Sequence, residues 1–202
     1  MATIFLVSNT KAQTPLFAES FNYVGATLDA ATTNWTAHAS AGSNAIPLTS
    51  GNLGTAGYLM SDNVGSCITL TGAGGAREDV NAGFASQGVG TTVYSSMVVN
   101  FSSANAGVSS YFTSLTATNG ATIGNDVCRV YPFTTGNDLK FQLARLQANN
   151  GTTASGNYVR GRNYLLVTAY TMVAGANNDI ARMWILDAAV ACLLYTSDAA
   201  DE

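Results

Sequence analysis

Glu78 and Asp79 are adjacent acids, and of all residues in this sequence their types and spacing come closest to a chemical site. A retaining glycoside hydrolase needs two carboxyl groups about 5 Å apart. Residues i and i+2 of a strand can meet that requirement, because side chains alternate between its two faces. No Asp or Glu lies two positions from another, and Glu78 and Asp79 would point to opposite faces of a strand. We therefore predict a non-catalytic protein.

Other catalytic patterns are also missing from the sequence. The single histidine, His38, lies among Ala and Thr residues, where a hydrogen-bonded structural role is the usual one. No G-x-S-x-G motif is present, and the glycine-rich runs at 72–75 and 88–90 lack the strand–helix context of a phosphate-binding loop. We interpret both runs as turns.

Calcium is the one cofactor that the sequence suggests. It takes about six to eight oxygen ligands, often from Asp, Asn and backbone carbonyls in loops. Asn and Asp also occur in turns without a metal, because they tolerate left-handed backbone. The pair Glu78–Asp79 is the stronger candidate, since no turn type requires two adjacent acids. The candidate ligands are Glu78, Asp79 and Asn81 in one loop and Asn177 and Asp179 in another.

Aromatic side chains are the candidates for carbohydrate binding. A sugar can stack its C–H face on a ring while neighbouring polar groups bond to its hydroxyls. The alternative for each Tyr is a half-buried position with only its hydroxyl in water. Trp184 lies in an otherwise apolar run, and we expect it in the core. The candidate binding residues are Trp35, Tyr58, Tyr94, Tyr131, Tyr164 and Tyr170.

The segment that must organise these residues is 163–187. It contains two long apolar runs joined by a Gly/Asn/Asp-rich turn at 175–179. Branched and aromatic residues dominate, which is typical of strands. A hairpin that is apolar on both faces needs a second sheet to cover it.

Further strands are predicted along the whole chain, with Gly/Asn turns between them. Residues 92–101 and 139–146 alternate most clearly; in the second run Leu139, Phe141 and Leu143 should face inward. Strand is favoured over helix there because a turn precedes it and strands surround it. Many short strands predict an all-β fold, an antiparallel two-sheet sandwich of the jelly-roll kind. The other strands are predicted at 16–23, 34–38, 45–48, 56–60, 66–71, 78–84, 110–116 and 125–133.

Composition excludes two classes of partner. Charged residues make up 10% of the chain, far below the roughly 25% of an ordinary domain. The 8 Lys and Arg residues form no cluster, whereas nucleic acid binding needs clustered cations. No apolar run approaches the roughly 18 residues of a membrane span. Cys67 and Cys128 could form a disulfide or stay as two buried thiols.

Both ends of the chain carry sequence that we do not expect to belong to the domain. Residues 1–12 are similar to the end of a secretory signal peptide, although the apolar run is short and no basic start precedes it. A first strand is the alternative, and we favour the signal remnant. Residues 192–202 match, residue for residue, one reading frame of a transposase-derived DNA sequencing adapter. We expect a single β-sandwich domain at 13–191 that is cut short by this non-native tail.

Several segments together resemble a known group of proteins. They are ESFNY (19–23), NWTAHASAGSNAI (34–46), REDVN (77–81), VYSSMVVNF (93–101), YLLVTAY (164–170) and NNDIARMW (177–184). In this order they resemble secreted bacterial modules related to laminin-G and concanavalin A-like jelly rolls, typical of large surface proteins of Bacteroidetes-like bacteria.

The resemblance implies a jelly roll located outside the cell or on its surface. It implies a non-catalytic module that binds carbohydrate or another cell-surface ligand, with a glycan or surface protein as partner. A ligand-free spacer or adhesin module of a larger surface protein is the alternative. A glycoside hydrolase comes third, because the Glu-x-Asp-x-x-Glu strand of related enzymes is missing here.

Overall fold

The computed structural model describes residues 15–53, 65–72, 75–146 and 151–187. These ranges hold one single-turn helix and eleven strands, which confirms the all-β prediction. In chain order the elements are α1 (Leu28–Ala31), β1 (Thr36–Ala39), β2 (Leu48–Ser50), β3 (Ser66–Ile68), β4 (Asp79–Asn81), β5 (Thr92–Asn100), β6 (Thr113–Thr116), β7 (Asp126–Thr135), β8 (Asp138–Ala144), β9 (Thr152–Thr153), β10 (Asn163–Thr171) and β11 (Ile180–Asp187).

The predicted hairpin forms two strands of a three-stranded sheet. β10 and β11 pair antiparallel without a break, from Tyr164 opposite Asp187 to Thr171 opposite Ile180. On its other side β10 pairs antiparallel with β5 along its whole length. The order β11-β10-β5 therefore makes β10 the central strand.

The second large sheet has four strands in the order β6-β7-β8-β9. Leu139 and Phe141 of β8 are fully buried and Leu143 is nearly so, which confirms the inward face predicted for that strand. The pairing of β6 with β7 shifts register between Thr113 and Leu115. Cys128, in the matching part of β7, has a φ of 54°, so an extra residue is accommodated there as a bulge. Two small antiparallel sheets, β1-β4 and β2-β3, complete the set of sheets among the described residues.

One hydrophobic core joins the two large sheets. Side chains of β5 and β10 from the first sheet pack in the same cluster as side chains of β7 and β8 from the second. Phe141 is central, with its ring 5.5 Å from that of Phe101 and 5.3 Å from that of Tyr158. The buried members are Val99, Cys128, Val130, Leu139, Phe141, Leu143, Tyr164, Leu166 and Tyr170.

The opening strand predicted at residues 16–23 is wrong. Phe21 adopts a φ of 52°, which is outside the range of a strand. The carboxylate of Glu19 accepts a hydrogen bond from the Phe21 amide at 2.7 Å, and the Tyr23 amide donates to the Phe21 carbonyl at 2.9 Å. These local bonds fold the segment into a turn.

The two cysteines in the described part of the chain are both free thiols. Cys67 lies in β3 and Cys128 in β7, so the disulfide considered from the sequence is not present. Burial raises the pKa of the Cys128 thiol to about 11. No helix among the described residues is long and apolar enough to cross a membrane.

Phe141→Ala tests the shared core. The change empties a fully buried site between the sheets, and we expect it to lower the free energy of unfolding by about 3–5 kcal/mol. Val89→Ala is the control; Val89 is exposed, and its loss should change stability by less than about 0.5 kcal/mol. Urea unfolding measures both. Equal, small effects would show that Phe141 is not part of a cooperative core.

Candidate functional site

The outward face of the three-stranded sheet carries the candidate site. Leu166 and Tyr170 of β10 belong to the core between the sheets. Side chains alternate along a strand, so Val167 and Ala169 point to the opposite, outward face. Residues directly opposite each other on paired strands share a face. The outward face can therefore be assigned from the register alone.

Two aromatic rings stand on this face. Ala169 lies opposite Tyr94 on β5, and Val167 lies opposite Trp184 on β11. Tyr94 is 60% exposed and Trp184 is 43% exposed. β5 and β11 lie on either side of β10, so two strand-to-strand distances of about 4.8 Å separate them. Along the strand direction the two residues are offset by two residues, or about 6.8 Å. The Cα atoms of Tyr94 and Trp184 are therefore about 12 Å apart. The predicted core position of Trp184 is therefore wrong.

The floor between the rings is low. Ala169 is only 2% exposed, Val167 is half-buried, and Ser96 lies opposite Val167 on β5. Arg182 on β11 lies opposite Ala169 and is exposed. The exposed side chains around Ala169 are therefore Tyr94, Ser96, Arg182 and Trp184, and a ligand on this face would contact these rather than Ala169 itself.

A groove adjoins this face along the outer edge of β11. It has a volume of about 350 Å³ and runs between β9 and β11. Among the described strands, β11 ends one sheet and β9 ends the other, and an end strand carries backbone N–H and C=O groups on its outer edge. The groove is lined by Leu143, Thr152, Thr153, Ala154, Ala181, Arg182, Met183 and Trp184.

Three of the predicted ligand-binding tyrosines are buried. Tyr131, Tyr164 and Tyr170 are each at most 5% exposed. The Tyr164 hydroxyl accepts a hydrogen bond from the Val159 amide at 2.7 Å, and the Tyr170 hydroxyl donates to Asp179 at 2.7 Å. Burial also raises the pKa of Tyr170. Because their rings are packed inside, these three residues cannot offer a stacking surface, and their assignment to the site is corrected.

The remaining predicted aromatics have different positions. Tyr94 is on the outward face, whereas Tyr58 lies outside the described residues. Trp35 is half-buried and donates its indole N–H to Glu19 at 3.0 Å. Its ring packs edge-on against Phe17 at 5.7 Å and is stacked on Phe21 at 6.0 Å. Trp35 is thus held in a local aromatic cluster rather than on the sheet face.

The predicted calcium pair is split between two environments. Glu78 is buried, and its carboxylate accepts hydrogen bonds from the amides of Gly42 at 2.8 Å and Ile46 at 3.5 Å. Asp79 is exposed. The side chain of Asn81 is also engaged, since its amide group exchanges two bonds of 2.8 Å with the backbone of Gly120. Glu78 therefore holds a loop by hydrogen bonds, whereas Asp79 lies at the surface, and a calcium ion shared by the two stays a prediction.

The second predicted calcium loop is a hydrogen-bonded turn. Asp179 accepts hydrogen bonds from the Val173 amide at 2.8 Å and from the Tyr170 hydroxyl at 2.7 Å, and both bonds lower the pKa of its carboxyl group. Asn177 is exposed and has a φ of 60°. In the described part of the chain no three His, Cys, Asp or Glu side chains come together as a metal site.

A buried ion pair was not anticipated from the sequence. Asp126 accepts hydrogen bonds from the Tyr111 hydroxyl at 2.6 Å and from Arg129 at 2.9 Å. The guanidinium carbon of Arg129 is 4.4 Å from the centre of the Tyr111 ring. Burial and the neighbouring carboxylate raise the pKa of Tyr111 to about 12. The cluster anchors the segment before β6 onto β7.

No protein-family model, curated protein or solved structure matches this chain. The outward face of the three-stranded sheet and its groove are therefore the features from which a function can be proposed.

Glu78→Gln tests whether that carboxylate holds the loop. The substitution places an amide group against backbone N–H donors, and we expect a loss of about 1–3 kcal/mol in the free energy of unfolding. Asp79→Asn is the matched control at an exposed position and should stay within about 0.5 kcal/mol. Urea unfolding is measured with a chelator and with added calcium. A loss for Glu78→Gln that appears only with calcium would contradict the hydrogen-bond assignment.

Asp179→Ala tests the turn between β10 and β11. It removes two hydrogen bonds to a charged acceptor, and we expect a loss of about 1–2 kcal/mol at neutral pH. The folded-state pKa of Asp179 is below its ordinary 3.8, so this stabilisation is present above pH 3.8 and is lost as pH falls through the folded-state value.

Unfolding curves at a series of acidic pH values check this pH dependence. The difference between parent and Asp179→Ala should shrink as pH falls below 3.8. Tyr170→Phe, which removes one of the two bonds, should show a smaller loss at neutral pH. A constant difference between parent and Asp179→Ala at every pH would contradict the assignment.

Proposed function

We propose that this protein is a non-catalytic extracellular module of jelly-roll type that binds carbohydrate on the outward face of its three-stranded sheet. The observation that carries the proposal is the placement of Tyr94 and Trp184 on one face with a low floor between them. The shared core of the two large sheets supports the sandwich part of the proposal.

Exposed aromatic rings on a sheet face favour sugars for a physical reason. A pyranose ring has an apolar C–H face that can cover an aromatic ring and remove its surface from water. Its hydroxyls keep their hydrogen bonds if polar groups lie around the ring. Tyr94 offers a phenol group, Trp184 an indole, and Arg182 a planar donor beside them.

The separation of the rings favours an extended glycan over a single sugar. A distance of about 12 Å between the two Cα atoms exceeds the span of one stacked ring pair, for which centroids lie about 4.5–7 Å apart. Two sugar units of one chain could therefore each use one ring. Because Ala169 lies between the strands that carry the rings, no large side chain of β10 blocks the path.

A panel of immobilised polysaccharides tests the proposal, with the parent protein beside Trp184→Ala and Tyr94→Ala. We expect each substitution to weaken binding of the best glycan about tenfold, which corresponds to about 1.4 kcal/mol. Phe84→Ala is the control, because Phe84 has an exposed ring outside the three-stranded sheet. Circular dichroism confirms that all variants fold.

Three outcomes would contradict the proposal in different ways. Failure of the parent to bind any glycan would favour the ligand-free spacer. Unchanged binding by both ring variants would place the site elsewhere on the molecule. Release of soluble sugars from any polysaccharide would identify an enzyme.

A further inference from the structure

We infer that the groove between β9 and β11 binds an acidic group of the glycan, a carboxylate or a sulfate, and that Arg182 is its charged contact. The inference rests on the proposed function and specifies the class of glycan. It starts from the composition of the groove, whose lining contains one cation and no carboxylate.

Arg182 is available for such a contact. Its side chain is exposed, and the two ion pairs among the described residues, Arg129–Asp126 and Arg162–Asp187, do not include it. A guanidinium group presents a planar fork of donors that matches a carboxylate or sulfate in a bidentate arrangement. Hydrogen bonds of this charge-assisted type are stronger than those to a neutral hydroxyl.

The rest of the groove supplies neutral donors. Thr152 and Thr153 are exposed on β9, opposite the edge of β11. Their hydroxyls can donate to an anion, as can the backbone N–H groups of β11 that point away from β10. No side chain in the lining carries a negative charge.

Continuity with the outward face explains why the anion would belong to a glycan. Arg182 and Trp184 lie on the outward face by register, and both also line the groove. A sugar stacked on Trp184 would therefore carry its substituents toward Arg182 and the threonines. An extended peptide could pair with the edge of β11, but it would not need a cation or the exposed ring.

A preference for acidic over neutral glycans must come from a charge within the groove rather than from the net charge of the protein. The chain has a formal net charge of −4 and only 8 Lys and Arg residues. At physiological salt, charges more than about 8 Å away are largely screened. The protein as a whole therefore does not attract an acidic polymer, and an acidic glycan must find its cation in the site itself.

The test compares one glycan backbone with and without its charge. The probes are oligogalacturonides and the same oligomers after chemical reduction of their carboxyl groups, with chondroitin sulfate and its desulfated form as a second pair. Binding of the full chain is measured by calorimetry at low and at physiological salt. We expect the parent to bind at least one acidic form about tenfold more tightly than its neutral partner.

Variants identify the cation responsible. Arg182→Gln should abolish the preference for the acidic form, so that the acidic form loses about tenfold more affinity than the neutral form does. Arg182→Lys should retain part of the preference, because the charge remains and the bidentate fork is lost. Arg160→Gln is the control; it removes the same charge from an exposed residue outside the groove lining and should retain the full preference.

The outcomes separate the two claims. Equal binding of acidic and neutral forms by the parent, or equal loss of both in Arg182→Gln, would overturn the inference while glycan binding stands. Retention of the preference in Arg182→Gln would assign the selectivity to another residue and also overturn it. If neither member of either pair binds and the wider panel is also negative, the proposed function fails and the inference with it.

Discussion

The structure depends on one constraint, which is that β10 must be buried on both of its faces. Leu166 and Tyr170 face the second sheet, while Leu165 and Ala169 point the other way and are 1% and 2% exposed. The second sheet covers the inner face of β10. On the outer face, the side chain of Asn163 bonds to the Leu53 carbonyl and so brings that segment to the end near Leu165. Near Ala169 the flanking residues are instead Tyr94 and Arg182, which are themselves exposed. The candidate site thus lies where β10 is covered by side chains of its own sheet.

Alternation of apolar residues was enough to predict the strands that have one polar face. β8 alternates in sequence, and its inward residues were identified correctly. β11 has apolar residues on both of its faces, so its sequence does not show which face is buried. The register with β10 decides the matter: Ala181, Met183 and Ile185 pack on the core, and Trp184 faces outward. Burial of Tyr164 and Tyr170 follows from the same register, which no local pattern reveals.

Hydrogen bonds to carboxylates account for the other differences from the sequence-based expectations. Alternation at residues 16–23 is typical of a strand, but Glu19 bonds to the Phe21 amide two positions away and a turn forms. Glu78 accepts from the Gly42 amide, 36 residues earlier in the chain. A carboxylate that satisfies distant backbone donors looks the same in sequence as one that binds a metal ion. Its role could be assigned only once the fold had brought the donors to it.

The opposite surroundings of the two tryptophans have a spectroscopic consequence. The chain contains only Trp35 and Trp184. Trp184 faces solvent at the groove, while Trp35 packs between two phenylalanine rings with its N–H bonded to Glu19. Water around the first indole shifts its emission to longer wavelength and exposes it to iodide quenching, whereas the second is shielded. Intrinsic fluorescence of the unlabelled protein therefore contains two separable signals, one from the sheet face and one from the packing of the segment around residues 17–35.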